Sequence, residues 1–297
     1  MKKQLITLAT LLTFTASTGS VMAHSLWVNV HESFTHPPGH FITSLGWGHE
    51  VPMDDFLMSE AGAVTIETYD LMGPDGSRTP FPLPVIKKET PASSTTGMTI
   101  VQGDLGLRKV SLTDKTVPGT YAVIAESKAT YFSGYVDKKG NHKMATKAMD
   151  EIKGATAFDF STRYKAVAKS YVGIKKWTAP KPAGFDLEIM PDTDLSTVNA
   201  GDIVKFTVTF KGKPLNCDMH GIHILHLTSN TYGGPDKFML SSYIMNGKAQ
   251  VRIPTAGEWV ASILIKKNVT PDNELKALAK KCQSIYYGST LSLTAKP

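Results

Sequence analysis

In the stretch 203–210, Val204, Phe206, Val208 and Phe210 alternate with Lys205, Thr207 and Thr209. A period of two puts every apolar side chain on one face of an extended strand and scatters them around a helix, so this pattern commits the region to half-buried β-structure. Comparable runs recur at 63–69, 119–126, 248–253, 258–266 and 287–294. Turn-forming pairs punctuate them: Asp75-Gly76, Pro118-Gly119, Gly233-Gly234 and Asn246-Gly247. Many short strands at such spacing predict β-sandwich architecture.

Two segments carry helical signals instead. At 143–153, Met144, Ala148 and Ile152 fall at i, i+4 and i+8, with Gly154 as a stop. At 271–281, Thr270 is placed to cap and Pro271 to open a helix; Asp272 and Glu274 come early, and Lys276, Lys280 and Lys281 late, matching the helix dipole. Thr-Ala-Pro-Lys-Pro-Ala-Gly at 178–184 is extended and turn-prone, which sets a boundary near 178–186. The expected organisation is mainly β: two β-sandwich (Ig-like) portions with one or two short helices. Residues 24–180 form an N-terminal β-rich domain with an inserted helix, and 186–297 a C-terminal Ig-like sandwich.

Residues 1–23 read as a secretory signal peptide. Lys2 and Lys3 precede an apolar run from Leu5 to Val21, and Val21-Met22-Ala23 supplies small residues at the −3 and −1 positions of a cleavage site. The mature chain would start at His24 in the periplasm. No other stretch approaches membrane length, so the mature chain is not expected to be embedded. Loss of Lys2 and Lys3, with no acidic residue in the segment, lowers the formal charge from +6 to +4. That mild excess, without a basic-aromatic stripe, argues against a nucleic-acid partner. Cys217 and Cys282 are the only cysteines. In an oxidising compartment such a pair is expected to form one disulfide.

Eight of the nine histidines fall in two segments, five within 24–49 and three within 220–226. Such clustering in an exported chain points to metal binding. As first residue of the mature chain, His24 offers an α-amine and a ring nitrogen to one ion, and another histidine would complete a three-nitrogen set. That set suits tetragonal Cu(II) or Ni(II). It requires a deprotonated amine, so affinity should fall on acidification. His49 lies in Gly46-Trp47-Gly48-His49-Glu50-Val51-Pro52, where glycine permits close approach and the indole shields from water. His36 and His40 flank Pro37-Pro38-Gly39, which can fold back and bring the two rings together. His31 would stand about 23 Å from His24 on a straight strand. If 220–226 is a strand, His220 and His226 share a face about 20 Å apart while His223 faces away. His220, beside Asp218 and Met219, is the best candidate of the three. Asp54-Asp55 reads as ordinary loop charge. No Cys-x-x-Cys, His-Glu-x-x-His, P-loop, dinucleotide fingerprint or Gly-x-Ser-x-Gly is present, so nothing indicates a hydrolytic enzyme.

The chain resembles the DUF4198 family, periplasmic proteins described as NikM-like or as components of nickel and cobalt uptake. The resemblance rests on His24-Ser25-Leu26-Trp27-Val28, Gly48-His49-Glu50-Val51-Pro52, the 163–169 segment Arg-Tyr-Lys-Ala-Val-Ala-Lys, Gly201-Asp202 through Gly212-Lys213-Pro214-Leu215, and Gly247 to Trp259. It implies two β-sandwich-like portions and a metal-related periplasmic role, and it implies no established catalytic activity. The leading expectation is a protein that captures a transition metal ion, Ni(II) or Co(II) favoured over Cu(II) or Zn(II), for a membrane transporter. His24 and His49 would be the core ligands, and His36, His40 or His220 additions. Two other classes stay open: a metal-free Ig-like envelope interaction module, and a copper-dependent oxidative enzyme built on a histidine brace.

Overall fold

The computed structural model describes residues 24–58, 63–85, 92–217, 221–232 and 239–297. Residues 1–23, where a signal peptide is expected, Gly233-Gly234, where a turn is expected, and His220 lie outside the described residues. Nineteen strands are present among those described. The first ten are β1 (Ser25–Ser33), β2 (His40–Gly48), β3 (Ile66–Met72), β4 (Arg78–Pro80), β5 (Ala92–Ser93), β6 (Thr99–Ile100), β7 (Arg108–Ser111), β8 (Gly119–Ser127), β9 (Thr130–Asp137) and β10 (His142–Ala145). They are followed by β11 (Ala155–Ile174), β12 (Leu187–Pro191), β13 (Ile203–Phe210), β14 (Lys213–Pro214) and β15 (Ile224–Ser229). The last are β16 (Leu240–Tyr243), β17 (Lys248–Arg252), β18 (Gly257–Asn268) and β19 (Ser284–Ala295). Every alternating run found in the sequence is a strand.

A 10-stranded sheet forms the middle of the molecule in the order β16-β15-β18-β19-β11-β8-β3-β4, with β9 and β10 attached beside β11. Its two faces are read directly from side-chain alternation. On β8, Ala122 and Ile124 join one apolar cluster and Val123 and Ala125 the other. On β11, Val167 and Tyr171 face the first cluster while Tyr164, Ala166 and Ala168 face the second. The first face is covered by the sheet of β12, β13, β14 and β17, the second by β1, β2 and β7. The two sandwich portions therefore share one central sheet. Late strands sit at its heart: β19 runs parallel to β11 from Thr162↔Ser284 to Ser170↔Ser292. Thr290 on β19 donates its hydroxyl to the Leu26 carbonyl at 2.7 Å, tying the C-terminal strand to β1.

One charged pair is sealed between the layers. Lys169 points from β11 into the first cluster's side, fully buried, and its Nζ donates to Glu188 Oε1 at 3.0 Å. Glu188 also accepts from the backbone N–H of Ala183 at 2.9 Å and of Gly184 at 3.1 Å. One carboxylate thus satisfies a buried ammonium and holds down the extended 178–186 segment. Thr178 and Thr120 anchor that segment's other end through reciprocal bonds of 2.7 and 3.0 Å.

Both expected helices are corrected. Residues 142–145 are strand β10, and only Met149–Glu151 makes one 3-10 turn. The N–H groups that a helix would use internally go elsewhere: Ala148 N–H to the Glu151 carboxylate at 3.0 Å and Met149 N–H to Lys281 O at 2.9 Å. In 271–281 only Lys276–Leu278 is 3-10 helical. Asn273 breaks the helix, its Oδ1 accepting from Leu275 N–H at 2.9 Å and its Nδ2 donating to Asn268 O at 2.8 Å. Such local side-chain bonding competes with the helical ladder. Thr270 is not the cap.

The expected disulfide is likewise absent; both cysteines are free thiols. Cys217 is held beside β15, where its Sγ accepts from His223 N–H at 3.2 Å. Cys282 is 1% exposed and packs with Leu275 and Ile285 just ahead of β19. Strand β18 separates the two regions. Two strand spacings amount to roughly 10 Å, beyond the ~7 Å Cα separation a disulfide tolerates. Burial pushes the Cys282 thiol up, which lowers its reactivity further.

Two outcomes are expected. Glu188→Ala should destabilise by about 3–5 kcal/mol in urea unfolding, because it strands a buried ammonium; Lys169→Met, which leaves Glu188 its two backbone donors, should cost less. Alkylation followed by mass spectrometry should modify Cys217 in the native protein and Cys282 only after unfolding.

Candidate metal centre

The centre lies where the buried face of the β1–β2 hairpin meets solvent. The register pairs Ser25 with Gly48 and Leu26 with Trp47, so continuing it by one step sets His24 opposite His49. The same alternation that buries Leu26 and Val28 on β1, and Leu45 and Trp47 on β2, puts both histidines on that inward face. Their ring centroids are 4.5 Å apart. Trp47 stacks on His24 at 5.4 Å with planes 17° apart, and Tyr164 meets the Trp47 indole edge-on at 6.4 Å. Burial pushes the Tyr164 phenol up, so it stays neutral beneath the indole. The side chain of His24 is 13% exposed and that of His49 31%.

The loop following β2 closes the site. Trp27 and Asn29, on the opposite face of β1, donate to the Pro52 carbonyl at 2.9 and 3.0 Å. Farther on, Asp55 N–H donates to Trp47 O at 3.2 Å. This double anchoring delivers two adjacent carboxylates. Asp55 Oδ2 lies 3.1 Å from His24 Nε2. Asp54 Oδ1 accepts from the N–H of His49 at 2.9 Å and of Glu50 at 3.2 Å, and Oδ2 lies 3.8 Å from His49 Nδ1. Gly48 makes the loop possible. Its φ is +131°, and a Cβ there would come within 1.8 Å of Asp54 Oδ1.

The other candidate histidines among the described residues stand apart. His40 pairs with Ser33 at the far end of the hairpin, and His36 is exposed in the adjoining loop. Nine strand steps put that end about 30 Å from His24. His31 lies 3.5 Å from Glu258, away from His24 as the straight-strand estimate requires. His226 is bonded to Ser241 at 3.1 Å, and burial pushes its ring down. Of the sequence-derived candidates, His24 and His49 are therefore brought together and His36 and His40 are not; His220 is outside the described residues.

Asp54 and Asp55 are the residues that sequence reading missed by treating them as loop charge. The available signal was their position five and six residues after His49, beyond a proline that reverses the chain. Among the described residues, no three or more His, Cys, Asp or Glu side chains are grouped to hold a metal ion. Among the described residues the site thus presents two imidazoles, with the Asp54 and Asp55 carboxylates beside them.

A domain of unknown function, DUF4198, matches residues 21–267. The chain belongs to that family. The DUF4198 match takes in both histidines and their loop and stops within β18, one residue before that strand ends. No protein of characterised function matches the chain. Among the described residues no helix is long and apolar enough to cross a membrane.

Gly48→Ala should cost about 1–3 kcal/mol through backbone strain and should release Asp54 from the His49 and Glu50 amides. Urea unfolding measures the first effect, and faster hydrogen exchange at those two amides the second.

Proposed function

We propose that the chain, processed to begin at His24, is a periplasmic protein that captures a divalent transition metal ion and passes it to a membrane uptake system. The observation that carries this reading is the 4.5 Å approach of the His24 and His49 rings at the start of β1. Cleavage before His24 would free its α-amine, adding the third donor that side chains do not provide. One amine and two imidazoles suit Ni(II) and Cu(II), which accept tetragonal geometry. Nickel and cobalt are the favoured cargo because of the NikM-like character of the resemblance. Asp54 and Asp55 place negative charge beside the rings, which draws cations in. A site half-shielded by Trp47 and open on one side favours transfer over storage.

Calorimetric titration of protein starting at His24 with Ni(II), Co(II), Cu(II) and Zn(II) tests this. Tight one-to-one binding is expected. One extra residue ahead of His24, His24→Ala, or His49→Ala should each weaken it more than about 100-fold, or about 2.7 kcal/mol. Unchanged affinity in any of the three overturns the ligand assignment. No binding at all would favour an envelope interaction module. A preference for copper with oxidation of a glycan substrate would favour the histidine-brace enzyme.

A further inference from the structure

We propose that Asp55 is a positioning residue that fixes the tautomer of His24, keeping the proton on Nε2 and turning Nδ1 toward the metal. The inference deepens the metal-capture reading and rests on it for its purpose, though the tautomer itself is a property of the metal-free protein.

Three contacts immobilise the Asp55 carboxylate. Its backbone N–H is bonded to Trp47 O at 3.2 Å, on the strand whose indole stacks against the His24 ring. Its Oδ1 accepts from Phe56 N–H at 2.7 Å, which sets the carboxylate plane. Its Oδ2 faces His24 Nε2 at 3.1 Å. An ionised carboxylate can only accept, so Nε2 must be the donor. A neutral imidazole protonated on Nε2 carries its lone pair on Nδ1. Trp47 holds the plane of the ring, and Asp55 chooses between its two flipped positions, since a flip would put Cε1 in place of Nε2 and lose the hydrogen bond.

The chemical consequence follows from covalent geometry. An ion held by the α-amine of His24 can reach Nδ1 of the same residue through a compact chelate ring closed over Cα, Cβ and Cγ. Nε2 lies on the far side of the imidazole and cannot share that ion. The nitrogen that Asp55 occupies is therefore the one the chelate does not need. Ligating histidines commonly donate their other ring N–H to a carboxylate, and losing that partner typically costs 10–100-fold in metal affinity. The neighbouring Asp54 serves the second histidine by bonding its backbone N–H. The two adjacent acids thus divide the work, one per histidine.

The test is long-range ¹⁵N–¹H correlation on histidine-labelled, metal-free protein starting at His24, with the His24 ring assigned by its loss in His24→Ala. The expected result is the Nε2–H tautomer. Asp55→Ala should give a mixture of tautomers, and Asp55→Asn, whose side-chain carbonyl still accepts, should restore Nε2–H. With Cu(II) added, Asp55→Ala should weaken affinity 10–100-fold and change the electron paramagnetic resonance spectrum, while Asp55→Asn should stay close to the parent. A His24 ring protonated on Nδ1, or a tautomer unmoved by Asp55→Ala, overturns the inference. Metal binding that fails while the Nε2–H tautomer persists overturns the capture reading instead, so the two failures are distinguishable.

Discussion

The parallel pairing of β11 with β19 is the constraint on which the rest of the molecule depends. It places a strand from the end of the chain at the centre of a sheet begun by β3 and β8. β18 and β15 can then extend that sheet beyond β19, and both faces become broad enough to carry a second layer. Because β11 and β8 alternate strictly, each supplies side chains to both apolar clusters. Two sandwiches built on one sheet have that sheet as their common layer. The Lys169–Glu188 pair shows what this costs: a charge stranded between layers is acceptable only because its carboxylate also satisfies two linker amides.

The candidate centre is a by-product of the same alternation. A strand whose even-numbered residues Leu26 and Val28 are buried must turn His24 to the same side. Its partner, burying Leu45 and Trp47, must do so with His49. Where the apolar row ends, the two imidazoles replace it at the rim. The chain reversal after Gly48 returns two acids to that rim, held by a proline carbonyl that both Trp27 and Asn29 grip from behind. In the proposed reading, cleavage before His24 would add an α-amine to these two imidazoles.

The strands were legible in the sequence because their signal is local. A period of two and a turn-forming pair are properties of a few consecutive residues, and they marked β3, β8, β13, β17, β18 and β19 correctly. The helical signals were local too, and they failed. Asn273 bonded its own neighbours, and the N–H groups of Ala148 and Met149 found partners at Glu151 and Lys281. A weak apolar spacing does not outweigh such contacts when they are available. The cysteine pair failed for a related reason. Pairing depends on distance, and β18 stands between the two thiols.

By itself the sequence determined that the chain is mainly β and where its alternating strands run, and it named the histidines of 24–49 and 220–226 as candidates. It could not determine that His24 meets His49 while His36 and His40 stand at the other end of the hairpin. That outcome depends on hairpin register, which pairs residues by their sum along two antiparallel strands rather than by closeness in sequence. Nor could it show that Asp55 would face His24, 31 positions away. Only the folded loop, pinned at Pro52 and at the edge of β2, brings that carboxylate to the ring.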